Sequence, residues 1–87
     1  MNLEDFKKQY RDEDEWWRKI MLCEIIHTTL QMKNPQRWSL TKSAKVLGIS
    51  ISLMSENLKM ARAINEDEKL TKKYNSRQQL LDKLMGF

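Results

Sequence analysis

The sequence predicts an all-α fold, a small helical domain of four to five helices, and three observations predict it. Two glycines and one proline in 87 residues leave little material for turns, so the elements are few and long. Leu, Met, Lys, Glu and Gln dominate while β-branched residues are sparse and clustered, a composition of good helix formers. Apolar residues recur at spacings of three and four over much of the chain, the period of a half-buried helix. At this length residues 1–87 make a single domain with a modest core.

Leu3, Phe6 and Tyr10 mark a short amphipathic stretch that either forms a turn or two of helix or frays. A long helix is expected over about residues 12–33, its first turn supplied with the acids of residues 12–15. Trp16, Ile20, Cys23 and His27 lie on one stripe of it, and Trp17, Met21, Ile25 and Thr28 on the next. Asn34 precedes Pro35 and is biased away from the α region, which ends that helix. Ser39 is a good N-cap for a short helix over 40–47. Gly48 supplies the turn, and Ser50 caps a helix over 51–64 whose inward stripe is Met54, Leu58, Ala61 and Ile64. Residues 66–73 are polar and partly helical, anchored by Leu70 and Tyr74. Ser76 followed by Gln79 fits a capping box for a last helix over about 76–85, with Leu80, Leu81 and Leu84 on its apolar face; Gly86 and Phe87 follow.

Residues 39–64 obey the steric grammar of a helix-turn-helix core. A small residue is needed where the two helices cross, and Ala44 is there. Four residues later Gly48 makes the turn, Ile49 plugs the core, Met54 packs back from the second helix, and Leu47 adds to the same contact. One position departs: Asn57 stands where an apolar residue is usual. Either Leu58 takes over the packing or Asn57 is partly buried and needs a hydrogen-bond partner. The segment running Trp38, Ala44, Leu47-Gly48-Ile49-Ser50, Met54-Ser55-Glu56-Asn57-Leu58 and Ala61 resembles the helix-turn-helix of ParB-type partition proteins and their phage-borne relatives. The resemblance covers about residues 38–64. It implies double-stranded DNA binding, and it does not extend to that family's N-terminal nucleotide-binding part.

On this register the second helix enters the major groove and presents Ser50, Ile51, Ser52, Ser55, Glu56 and Lys59. Ser52 and Ser55 hydroxyls suit base edges or phosphates, Glu56 a cytosine amino group, and Ile51 a thymine methyl. Lys42, Lys45, Lys59 and Arg62 suit phosphates, as does the helix start at Thr41. No arginine lies in the first turns of that helix, so the commonest guanine contact is missing and modest specificity is expected. Charge is distributed accordingly. Residues 1–32 carry five bases against seven acids, a net −2; residues 33–62 carry six against Glu56 alone, +5; residues 63–87 carry five against four, +1.

Other classes find less support. One cysteine excludes an internal disulfide, and Cys23 with His27 is too small a donor set for a metal site, so no metal or other cofactor is expected. No motif joins Ser, Cys and His into a catalytic arrangement, so an enzyme is not expected. No run approaches the apolar length of a membrane span and no signal-peptide run opens the chain. A soluble cytoplasmic protein is expected, nucleoid-associated if bacterial or phage-encoded. Its expected work is transcriptional regulation or accessory DNA binding in a phage or mobile-element setting. A homodimer is expected through Trp16, Trp17 and Ile20 of the first helix and Leu80, Leu81 and Leu84 of the last. The alternative is a small module that binds a host or partner protein through an apolar patch of Ile51, Leu53 and Met60.

Overall fold

The computed structural model describes residues 3–86, without the Leu3 side chain. The Leu3 side chain and Phe87 used in the sequence reading therefore lie outside the described residues. Among the described residues six helices are present: α1 Leu3–Asp12, α2 Trp16–Lys33, α3 Leu40–Leu47, α4 Ile51–Glu66, α5 Leu70–Lys73 and α6 Arg77–Met85. The fold is all-α, as expected from composition and period. The count exceeds four to five because the N-terminal stretch forms a full helix of its own. The long helix starts at Trp16 rather than near residue 12, so Asp12 ends α1 instead of opening α2, and its carboxylate pairs with Arg11. Of the acids, Glu15 is the N-cap position, and the Glu13 carboxylate accepts from its backbone N–H.

α2 and α4 pack across one another and form the spine, with apolar clusters at either end. At one end Phe6 and Tyr10 of α1, Cys23, Ile26 and Leu30 of α2, Ala44 of α3 and Met54 of α4 are buried together. At the other, Ile20 of α2, Met60, Ala61 and Ile64 of α4 and Leu80 and Leu81 of α6 close on each other, with Trp16, Trp17, Met21, Leu70 and Tyr74 packed around them. Two expectations are corrected here. Ile20, Leu80 and Leu81 are spent on this internal contact, so they are not a surface for a second copy; of that set only Leu84 is exposed. Met60 is fully buried, and Asn57 is buried in the core while Leu58 packs half-buried against the first cluster.

Local chemistry explains the boundaries. Asn34 leaves the helix with φ −135° and ψ 61°, outside the α region that the following proline disfavours, and its amide side chain donates to the Leu30 carbonyl. At the start of α6 the Ser76 hydroxyl accepts from Gln79 N–H, and the Gln79 side chain reaches back to the N–H of Asn75, one residue earlier than a standard capping box. Among the described residues no helix is long and apolar enough to cross a membrane.

Candidate nucleic-acid interface

The α3–α4 pair is built by short-range bonds. Ser39 accepts from Lys42 N–H to start α3, and Ser50 accepts from Leu53 N–H at 3.0 Å to start α4. Gly48 between them has φ 70°, the left-handed conformation that ends a helix. Gly48 N–H and Ile49 N–H donate back to the carbonyls of Lys45 and Ala44 at 3.2 and 3.0 Å, a Schellman closure. A Cβ at Gly48 would meet nothing within 4 Å, so the glycine is there for its φ and not for space. Ala44 and Met54 are buried, and Leu47 and Ile49 pack against the same cluster.

Because Met54, Asn57, Met60, Ala61 and Ile64 face inward, the opposite side of α4 is set by helical period. It carries Ile51, Ser52, Lys59 and Arg62, all exposed, with Ser55 half-buried among them. Neither Lys59 nor Arg62 enters an ion pair with another described residue. On α3 the exposed positions are Thr41, Lys42 and Lys45. Lys42 is partly occupied: its ammonium donates to the Arg37 carbonyl and sits 6.0 Å from the centre of the Trp38 ring. Ser50 is exposed and already accepts in its cap, which leaves its hydroxyl proton to donate outward.

Glu56 is placed differently from its expected role. It lies on the flank of α4 and accepts from Arg77 Nη2 of α6 at 2.8 Å, so its carboxylate is turned toward α6 and not along the outward stripe. Arg77 Nε donates at 2.8 Å to Asn57 Oδ1, and the Asn57 amide donates to Cys23 Sγ at 3.3 Å. Arg77 is the residue that sequence reasoning missed. Its partners lie 20 and 21 positions away, and nothing in the local pattern around Ser76 points to them. Leu53 lines a cleft with Trp16, Ile20 and Arg77, so Ile51 is the only one of Ile51, Leu53 and Met60 that stands exposed.

A second buried polar contact holds α3 against α2. Ser43 Oγ accepts from Trp38 Nε1 at 2.7 Å and lies 2.6 Å from His27 Nδ1. Burial lowers the His27 pKa from 6.5, which favours the neutral ring, and the ring's tautomer sets which partner donates in the Ser43–His27 bond. Burial has the opposite effect on the acids beneath α4. Tyr10 is raised to about 12 by desolvation and by the neighbouring Cys23, and Cys23 is raised from 9.0 by desolvation against the opposing pull of Asn57. The unfolded chain binds the extra proton at His27 below pH 6.5, and it loses the protons of Cys23 and Tyr10 above about pH 9 and 10, before the folded chain does. Stability is therefore expected to fall on both sides of a plateau between these limits. Urea midpoints measured against pH check this: Tyr10→Phe should flatten the alkaline limb and His27→Gln the acid one. Limbs unchanged by both substitutions would remove these groups as the cause.

Comparison of the chain with protein-family models, curated protein sequences and solved structures finds no match.

Proposed function

We propose that the chain binds double-stranded DNA, with α4 in the major groove and Lys42, Lys45, Lys59 and Arg62 on phosphates. The observation that carries this reading is the outward stripe of α4: Ser52, Ser55, Lys59 and Arg62 lie on the side opposite its buried residues, next to a three-residue turn from α3. The resemblance of residues 38–64 to ParB-type helix-turn-helix segments supports the same reading. With Glu56 held by Arg77, the base-facing set reduces to Ile51, Ser52 and Ser55, short side chains without an arginine fork. Sequence preference is then modest, and phosphate contacts carry most of the affinity. This suits transcriptional regulation or accessory DNA binding, with the cytoplasmic nucleoid as the place of action.

Fluorescence anisotropy of a labelled random-sequence duplex tests it. Four phosphate contacts correspond to a salt slope of about −3.6, so affinity should fall roughly 100-fold between about 50 and about 200 mM salt. No binding at the lower concentration refutes the reading. A second reading, a module that docks a partner protein on the same face, draws on the missing arginine and on an apolar patch of Ile51, Leu53 and Met60. With Met60 fully buried and Leu53 in the cleft, Ile51 alone is too little apolar surface on that side.

A further inference from the structure

The larger unpartnered apolar surface lies on the other side of the molecule. Along α2, Ile20, Cys23, Ile26 and Leu30 face the core, and the opposite stripe runs Arg18, Met21, Ile25, Thr28 and Met32, of which Met21 is half-buried against the second core cluster and the other four are exposed. Those spacings are three, four, three and four, the repeat of a helix–helix seam. Ile25 is 51% exposed and Met32 77%, which nothing in the monomer requires. At its N-terminal end the stripe runs into a groove of about 330 Å³ with Trp17, Met21 and Ile64 on one side and Asn65, Glu68 and Thr71 along its rim.

Charge says what covers it. The N-terminal end of α2 carries Glu13, Asp14 and Glu15, and the C-terminal end carries Lys33 with Arg37 just beyond. None of these five is in an ion pair with another described residue. A second copy laid antiparallel, with the two-fold axis at Ile25, satisfies both features. It brings the acidic end of each α2 over the basic end of the other, and it points each Met32 at the Trp17–Met21 groove of the second copy. A parallel arrangement would set acid on acid and base on base. The same patch on both copies is the self-complementary form that a two-fold dimer needs.

We infer that the outer face of α2 is a homodimer interface, formed by antiparallel packing of two α2 helices about Ile25. The α4 stripe lies across the core from it, so the dimer leaves both α4 faces uncovered. This inference does not depend on the DNA reading, and its test contains no DNA. One helix face is small beside the roughly 1,200–2,000 Å² of a standard interface, so the dimer is weak and concentration-dependent.

Sedimentation velocity over a wide concentration range is the experiment. The mass should rise from 10.5 kDa toward twice that value, and less so at high salt. Ile25→Glu should hold the chain at the monomer mass with an unchanged circular dichroism spectrum. Lys33→Glu/Arg37→Glu should weaken self-association, and mixing it with Glu13→Lys/Glu15→Lys should restore a dimer of the two proteins. Oxidised Ile25→Cys should give a covalent dimer, while native Cys23, fully buried, contributes none. A monomer at every concentration overturns the inference and leaves the stripe to a different protein. A dimer indifferent to Ile25→Glu overturns it by placing the contact elsewhere.

Discussion

Replacing Lys45, Lys59 and Arg62 together by alanine is expected to abolish most of the salt dependence of duplex binding. Each phosphate contact contributes about 0.9 to the slope of log K against log salt, so three removed contacts flatten it by about 2.7 units. The loss of affinity between about 50 and about 200 mM salt should then shrink from roughly 100-fold to three- or fourfold. The three residues are chosen because they are exposed and enter no ion pair with another described residue, so their removal should leave the fold intact. Lys42 is left in place because it also supports the Arg37 carbonyl, and its loss would mix a structural effect with an electrostatic one. Substituting Ser52 and Ser55 should do the reverse, changing the preference among duplexes while leaving the slope alone. A triple variant with the wild-type slope would remove the phosphate role from all three residues, and with it the proposed orientation of α4 on DNA.

What could be read from the sequence follows the range of the interactions involved. Ser39, Gly48, Ser50 and Ser76 act through bonds to residues within five positions, and each ends or begins a helix where its type predicts. Ala44, Ile49 and Met54 belong to a contact closed by one short turn, and they too pack as their spacing requires. The break between α1 and α2 has no glycine or proline to announce it. It arises because Phe6 and Tyr10 pack beside Cys23 and Ile26, a contact that periodicity within one helix cannot register. The register of α4 is a similar case. A stripe through Leu58 and one through Asn57 and Met60 differ by a small rotation, and hydropathy favours the first. Long-range partners for the asparagine, Cys23 and Arg77, make the second possible. Ile20, Leu80 and Leu81 show the same limit: an apolar face can be recognised in a sequence, but whether its cover is the same chain or another copy cannot.

Asn57→Ala is expected to cost about 2–3 kcal/mol of stability, more than Asn57→Leu, because two separate losses add in the alanine variant. Asn57 is 3% exposed at the crossing of α4 with α2, so truncation opens a void that the spine closes only in part. It also deprives Arg77 Nε of its acceptor, which detaches one of the two bonds that hold the start of α6 against α4. Leucine has the same branched heavy-atom outline with bulkier methyl ends, so it leaves no void, and it suits a position that is usually apolar in a helix-turn-helix. It forfeits the polar bonds but not the packing, and Arg77 keeps Glu56 and reaches solvent at its 28% exposed side chain. The leucine variant should therefore lose about 1 kcal/mol, chiefly the net value of the bond from Arg77, since the Cys23 sulfur is a weak acceptor. A double-mutant cycle with Arg77→Ala separates the terms: the coupling should be present for Asn57→Ala and should survive in Asn57→Leu, since both remove the same acceptor. Urea unfolding of the three single variants, the two double variants and the wild type reads all of this. If alanine costs no more than leucine, the void argument fails. If neither variant couples to Arg77, the asparagine is inward for packing alone, and the link from α4 to α6 must be credited to Glu56.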